Sequence, residues 1–196
     1  SDQPGGSVLV SMGSLNHSWQ ESGEDPRKIG RWTWSYYRPT NSTHGLRIVS
    51  VYAPQSKPQV FGSKKVYFQQ WLQLQNQGCK VDPIKSFWKD LFQEIDKWQQ
   101  QGDTLILAGD WNKDVRNSKF LKKFKTRGLI PAITKRHGAH GPNTRNPGSK
   151  PIDEIFVTSN IRITRSGYCP FNEIESDHRM IWIDVHKNSI FTPHSQ

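Results

Sequence analysis

The sequence predicts a mixed α/β domain, and three features carry that prediction. Apolar residues recur at three- and four-residue steps over residues 82–102, as in an amphipathic helix with Asp82 as N-cap and Pro83 at its first position. An apolar strand over residues 104–110 follows at once. Strand-like runs also close the chain, at residues 152–159, 161–168 and 180–185. A helix joined by a tight turn to a buried strand indicates helices layered on a sheet.

The first third of the chain predicts further strands. Residues 7–11 are expected to form a short strand, and the polar stretch 13–28 is expected to be a loop. Residues 30–37 alternate large aromatic side chains with smaller ones, and the run 46–52 returns from a turn, which together predict a hairpin or meander.

Three other segments complete the pattern. Residues 65–77 predict a helix ended by Gly78, residues 118–126 a short basic helix, and residues 136–150 a long polar loop. There is no internal repeat and no linker, so residues 1–196 are expected to form one domain.

Composition favours an anionic partner. The 196 residues carry 27 Lys and Arg against 17 Asp and Glu, a formal net charge of +10. Such a surplus favours nucleic acid first and an anionic membrane or phosphorylated substrate second, with a solvated basic surface as the alternative. Cys79 and Cys169 are far apart, which disfavours structural zinc and fits a reducing compartment, nuclear or cytoplasmic. No apolar run has the length of a membrane span, so no membrane partner is expected.

The strand over residues 104–110 ends abruptly in Gly109-Asp110-Trp111-Asn112. A buried strand that ends in a carboxylate and a carboxamide delivers two polar groups rigidly to a surface, as catalytic geometry requires. The alternative is a strand capped by an Asp/Asn turn.

Other predicted strand ends carry similar groups. Tyr52 closes one strand, Asp153 opens another, and Ser176-Asp177-His178 precedes the last. If two sheets bring these ends together, the cleft suits metal-assisted attack of water on a phosphate ester, with carboxylates holding a hard cation and imidazole handling a proton.

Each of these residues also has an ordinary structural interpretation. Tyr52 could be a core or rim tyrosine, and Asp153 could form an ion pair with Lys150 or Arg162. The Ser-Asp-His sequence could be a simple turn, or could indicate serine hydrolysis, which the absence of a Gly-x-Ser-x-Gly elbow disfavours.

The order Tyr-Ala-Pro, Gly-Asp-Trp-Asn, Ile-Asp-Glu-Ile-Phe-Val, Ser-Asp-His resembles the endonuclease/exonuclease/phosphatase superfamily, which includes deoxyribonuclease I, abasic-site endonucleases and retrotransposon endonuclease domains. The resemblance runs from Pro4 to about Val185 and implies a four-layer α/β/β/α sandwich with two mainly antiparallel sheets. Residues 60–101 would then contain a helical insertion carried by some members and a helix packed on a sheet.

The resemblance also implies roles for the motif residues. Asp110 and Asn112 would orient water and bind the phosphate, while His178, oriented by Asp153, would stabilise the phosphoryl oxygens or transfer a proton. Tyr52 would touch the phosphate. Asp177, with Asp110, would ligate Mg²⁺ or Mn²⁺.

One departure concerns the N-terminus. Family members begin with a strand bearing an Asn and a second ending in a metal-binding Glu, and here residues 1–4 alone precede Gly5. We therefore expect the sequence to be the C-terminal two-thirds of a longer nuclease-like protein, or a degenerate reading frame. Without that Glu, we expect ion binding to be weaker.

The favoured function is a metal-dependent phosphodiesterase acting on nucleic acid, with DNA as the expected partner. Four cationic residues near the motifs could contact its backbone, namely Lys113, Arg116, Arg145 and Lys150. The alternatives are a catalytically impaired nucleic-acid-binding remnant and a phosphatase acting on phosphoinositide-type monoesters.

Overall fold

Two β-sheets organise the molecule. The computed structural model describes residues 6–56, 65–173 and 175–191. The main sheet has six strands in the order β1-β2-β3-β4-β6-β5, and a second sheet pairs β7 with β8. The strands are β1 Trp19–Glu24, β2 Trp32–Tyr37, β3 Leu46–Tyr52, β4 Thr104–Asp110, β5 Leu129–Pro131, β6 Asp153–Thr158, β7 Ile163–Tyr168 and β8 Ile181–Val185. Neighbouring strands are antiparallel except β3 and β4, which run parallel. Two mainly antiparallel sheets with helices are the predicted fold class.

Helices connect and cover the main sheet. They are α1 Val66–Asn76, α2 Pro83–Gln100, α3 Ser118–Lys125 and α4 Ala132–His137. Parallel strands need a long crossover, and α1 with α2 supplies it between β3 and β4. The predicted N-cap is confirmed, because Asp82 Oδ1 accepts hydrogen bonds from the backbone N–H groups of Ile84 at 2.9 Å and Lys85 at 3.1 Å. Residues 60–64 of the predicted insertion lie outside the described residues. The helices within the described residues include none long and apolar enough to cross a membrane.

Two apolar clusters hold the layers together. The larger packs α2 and α3 against one face of the main sheet, with Trp32, Trp98, Trp111, Phe124 and Phe156 among its buried side chains. The smaller lies between the other face and the β7–β8 sheet. Strand β4 therefore has two unlike faces, since Leu105 and Leu107 are fully buried and Ile106 and Ala108 are half-buried.

Several sequence expectations near the N-terminus are wrong. Residues 7–11 pair with no strand in the described parts of the chain, and Val8 and Val10 are exposed. The segment 13–28 is not a loop throughout, because it contains a 3-10 helix at 13–18 and the edge strand β1. Strand β1 was missed because one-sided pairing leaves its side chains largely exposed, so they are polar.

The stretch before the long polar loop also holds elements that the pattern did not predict. Strand β5 and helix α4 follow α3 directly, and Arg136 and His137 belong to α4 rather than to the loop. Helix α4 is capped from a neighbouring strand: the Glu154 carboxylate accepts the backbone N–H groups of Ile133 and Thr134, each at 2.9 Å.

A buried ionic network fixes α2 to the turn between β1 and β2. Arg31 and Asp25 are fully buried and form a 2.7 Å ion pair. Asp90 on α2 accepts from Arg31 at 3.0 Å and from Arg27 at 2.6 Å. Each carboxylate in this network has a guanidinium partner, as buried charges require.

Candidate active site

Three predicted site residues form one row across the main sheet. Tyr52 is the register partner of Asp110 across β3 and β4, and Asp110 is the register partner of Asp153 across β4 and β6. Residues directly opposite each other on adjacent strands point to the same face. The row lies at the C-terminal end of β4 and the N-terminal end of β6, so all three side chains are delivered to one edge of the fold.

His178 bridges the two carboxylates of that row. Its Nδ1 lies 3.0 Å and 3.2 Å from the two oxygens of Asp153, and its Nε2 lies 3.9 Å from Asp110 Oδ2. A proton on Nδ1 is donated to Asp153, which fixes the ring and turns Nε2 toward Asp110. The geometry thus leaves one imidazole nitrogen for a substrate or a water.

The other two residues of the Ser-Asp-His sequence make local contacts. Ser176 Oγ accepts a hydrogen bond from the backbone N–H of His178 at 3.0 Å, which closes a turn. The Ser176 hydroxyl contacts the backbone and not the imidazole, as expected if the Ser-Asp-His sequence forms a simple turn. Asp177 is exposed and accepts a hydrogen bond from Arg145 Nε at 3.0 Å.

The Gly109-Asp110-Trp111-Asn112 turn is rigid because each of its residues is held. A Cβ at position 109 would collide with the carbonyl oxygen of Val51, so glycine is required there. Trp111 is fully buried, and its indole N–H donates to the carbonyl oxygen of Glu154 at 3.1 Å. The buried ring anchors the turn from within the core.

Asn112 occupies a left-handed backbone conformation, with φ at 49°. Asn tolerates this region better than most residues. Its backbone N–H donates to Asp110 Oδ1 at 2.8 Å, and its side-chain Nδ2 donates to the carbonyl oxygen of Ala53 at 2.7 Å. The turn therefore ties the ends of β3 and β4 together, and the first of its two contacts orients the Asp110 carboxylate.

The electrostatics of the site favour proton transfer near neutral pH. Burial, with a contribution from the nearby charge of Asp153, raises the pKa of Asp110 to about 6. The hydrogen bond to Asp153 raises the pKa of His178. Burial raises the pKa of Tyr52, and the negative charge of Asp110 adds to the effect. Raised pKa values of a carboxylate and an imidazole 3.9 Å apart are typical of groups that act as acid and base in active sites.

A positioning residue that the sequence pattern did not reveal is Thr144. It is fully buried, and its hydroxyl accepts the backbone N–H groups of Ile152 at 2.9 Å and Asp153 at 3.1 Å. The flanking backbone pairs with the His178 segment, since Asn146 N–H donates to the Asp177 carbonyl oxygen at 2.7 Å. This segment therefore fixes Asp153 and His178 relative to each other. Its only sequence signal was a threonine in a polar loop.

The four predicted phosphate-contacting residues do not have equal freedom. Lys113 and Lys150 are exposed, while Arg116 is held by Asp114 at 3.0 Å and Arg145 by Asp177. The hydrogen bond from Arg145 lowers the pKa of Asp177. Arg145 and Lys150 line a cavity of about 260 Å³ that also contains Asn112. This cavity opens next to the catalytic candidates.

The predicted metal ligands do not complete an ion site by themselves. No group of three His, Cys, Asp or Glu side chains within the described ranges is arranged to hold a metal ion. Asp110 and Asp177 supply carboxylates, one of them engaged by Arg145. A divalent cation normally takes six or more oxygen ligands, so this donor set does not fit one without further ligands.

The two-sheet α/β fold and the Asp/His cluster at its strand ends together indicate the protein family to which the chain belongs. The sequence matches the endonuclease/exonuclease/phosphatase family over residues 10–178, and the chain belongs to that family. No curated protein matched it in sequence.

Solved structures confirm the fold at low identity. A 3′ phosphatase, NExo, from Neisseria, bound to product DNA hairpin, is similar with a TM-score of 0.58 and 14% identity, over 86% of this chain and 71% of that one. Humanized D. rerio TDP2 is similar with a TM-score of 0.53 and 12% identity, over 87% and 68%. The human Nocturnin catalytic domain gives 0.51 and 14%, over 86% and 59%.

Proposed function

We propose that this protein is a phosphodiester hydrolase acting on nucleic acid. The observation that carries the proposal is the position of His178 between Asp110 and Asp153, at the end of a row that includes Tyr52. Family membership supports hydrolysis of a phosphate ester, and the formal charge of +10 favours a polyanionic substrate.

The geometry suggests a role for each residue. Asp153 holds the imidazole through Nδ1, so His178 Nε2 faces the cleft and can stabilise a phosphoryl oxygen or move a proton. Asp110, with its pKa raised to about 6, is ionised at neutral pH and can accept the proton of an attacking water. Asn112 and Tyr52 flank Asp110, and the role we propose for them is to hold the phosphate by hydrogen bonds.

We propose Mg²⁺ or Mn²⁺ as the ion of this reaction, because the family is generally dependent on divalent metals. Asp177 and Asp110 are the ligands proposed from this chain. Since the described residues do not complete a site, no step is assigned to the ion.

DNA is the proposed substrate. One similar structure, the Neisseria phosphatase, is bound to a DNA hairpin, and its fold is shared by this chain. Lys113 follows Asn112 in the sequence and Lys150 lines a cavity with it; both lysines are exposed and can contact phosphates.

The test is nicking of supercoiled plasmid by the purified protein with Mg²⁺ or Mn²⁺, with and without EDTA. We expect nicking that EDTA abolishes and that Asp110→Ala removes, whereas Asp184→Ala, a half-buried acid on β8 that pairs with Arg165, retains it. Nicking that persists in the Asp110→Ala protein would overturn the proposal.

A second candidate is a nucleic-acid-binding protein with impaired catalysis. The observation that favours it is the contact of Arg145 with Asp177, which uses one of the two proposed ligands. It predicts salt-dependent DNA binding with no turnover at any Mg²⁺ or Mn²⁺ concentration. Hydrolysis of inositol phosphates in preference to DNA or RNA would instead support a phosphomonoesterase.

A further inference from the structure

A groove with three lysines on an aromatic floor lies beside the candidate active site. It has a volume of about 250 Å³ and is lined by Lys113, Lys119, Lys123, Trp88 and Phe120, with Asp114 and Asn117. The three lysines are exposed, and Trp88 is half-buried. We refer to it as the lysine groove.

The groove carries a net positive charge that the protein does not neutralise. Asp114 is its one acidic lining residue, and Arg116 engages it through two contacts, Nε to Oδ1 at 3.0 Å and a second nitrogen to Oδ2 at 3.1 Å. No ion pair links the three lysines to a carboxylate within the described ranges. Three ammonium groups around one concavity raise the local concentration of anions.

The floor of the groove is continuous with the catalytic turn. The Trp88 indole stacks on that of Trp111 with an interplanar angle of 15° and a centroid distance of 6.1 Å. Trp111 lies between Asp110 and Asn112, and Lys113 follows them directly. The cavity with Arg145 and Lys150 also borders Asn112, so cationic residues line two cavities next to this turn.

Helix α3 separates its lysines into two sets. Lys119 and Lys123, four residues apart, face the groove, and Lys123 Nζ lies 5.2 Å from the centroid of the Trp88 ring. Lys122 and Lys125 line a separate cavity with Leu121. The helix therefore offers two lysine pairs with the same charge and different surroundings.

We propose that the lysine groove binds the nucleotide that flanks the scissile phosphodiester. Its phosphate contacts Lys113 and Lys119, and its base or sugar lies against the Trp88 floor beside Lys123. Ammonium groups bind phosphate as point charges, and an aromatic floor accepts any base, so the groove selects a strand and not a sequence. This proposal rests on the proposed function, since it places the scissile bond at Asp110 and Asn112.

The test compares Lys119→Gln/Lys123→Gln with Lys122→Gln/Lys125→Gln. Binding of a fluorescent single-stranded DNA of about 12 nucleotides is measured by anisotropy in EDTA at several salt concentrations. Loss of the Lys119 phosphate contact reduces the magnitude of the slope of log K against log salt by about 0.7 in the first variant. The second variant keeps the slope of the unmodified protein.

Two results would overturn the proposal. One is an unchanged slope in the Lys119→Gln/Lys123→Gln variant, and the other is an equal loss in both variants, which would indicate a diffuse basic surface. Because binding is measured in EDTA, it does not depend on hydrolysis. If plasmid nicking is absent but the slopes of the two variants differ as expected, the hydrolase proposal is rejected. The proposal that the lysine groove binds nucleic acid is then retained.

Discussion

The protein buries two clusters of acidic side chains, which differ in their cationic partners and in the direction of their pKa shifts. In the ionic network under α2, Asp25 and Asp90 have guanidinium partners at 2.6–3.0 Å, and the hydrogen bond from Arg27 helps to hold the pKa of Asp90 below its usual range. At the candidate site, Asp110 has His178 Nε2 at 3.9 Å as its cationic neighbour, and burial raises its pKa to about 6.

The difference separates carboxylates that a guanidinium neutralises from the Asp110 carboxylate, whose cationic neighbour is an imidazole. A buried carboxylate with a matched guanidinium is stable and unreactive, since the partner satisfies its charge. A buried carboxylate without one is costly to ionise, and such costs are retained mainly where function requires them. The Asp110 carboxylate is therefore held in its ionised form at the expense of the stability of the fold.

The largest expected effect is on activity at the site. Replacing His178 by Ala removes the nitrogen that faces the cleft, and we expect the hydrolysis rate to fall by about 10²–10⁴-fold. His17→Ala, at an exposed position in the 3-10 helix 13–18, is the matched control and should retain the rate. If the His178→Ala protein is as active as the control, the imidazole has no role in hydrolysis.

A substitution in the ionic network should lower the stability of the protein and leave its hydrolysis rate unchanged. Asp90→Asn leaves Arg31 buried without one of its carboxylate partners, so we expect the free energy of unfolding to fall by about 3–5 kcal/mol. Urea denaturation measures this change. Hydrolysis by the fraction that remains folded should be unaltered, and a stable Asp90→Asn protein would show that the network contributes little.

Asp110→Asn should stabilise the protein in a pH-dependent way. The folded-state pKa of Asp110, about 6, lies above the ordinary aspartate value of about 3.9, so its ionised form opposes folding. The penalty is absent at pH values below the unfolded pKa, grows as pH rises toward the folded pKa, and is complete above it. Because one pKa unit corresponds to about 1.4 kcal/mol, we expect a gain of about 1–3 kcal/mol at neutral pH. Denaturation in EDTA at acidic and neutral pH measures it, and a loss at neutral pH would contradict the assignment.

The smallest expected effect concerns the residue that fixes the geometry. Thr144→Val removes the acceptor of two buried N–H groups, which costs about 1–3 kcal/mol of stability. We expect a lower kcat because the substitution disturbs the orientation of Asp153. We expect little change in KM because Thr144 does not contact the substrate. Thr144→Ser keeps the hydroxyl and should restore kcat. If kcat in the Val and Ser variants instead depends on the volume of the side chain at position 144, Thr144 is a packing residue.

The sequence could predict the central strand and the polar groups at its end because the signals there are local. The run 104–110 with its terminal Gly-Asp-Trp-Asn defines strand, turn and functional groups within a few residues, and the observed β4 has those bounds. The N-cap and first turn of α2 were predicted for the same reason. The observed register brings Tyr52, Asp110 and Asp153 into one row within the main sheet, whereas the sequence analysis invoked two sheets to bring the strand ends together.

Features that depend on distant partners could not be predicted in the same way. Strand β1 has a polar sequence because it lies at an edge, and only its pairing with β2 makes it a strand. Thr144 is positioned by contacts with Ile152 and Asp153 that no local pattern encodes. The same holds for the division of the α3 lysines, which depends on where Trp88 of α2 lies.

The most direct test of the account is the hydrolysis rate of plasmid DNA by Asp110→Asn and Asp90→Asn, each measured at equal folded fraction. Both substitutions convert a buried carboxylate into an amide, and they differ in whether the carboxylate has a guanidinium partner. We expect Asp110→Asn to abolish Mg²⁺-dependent nicking and Asp90→Asn to leave the rate per folded molecule unchanged. Equal rates in the two variants would contradict it.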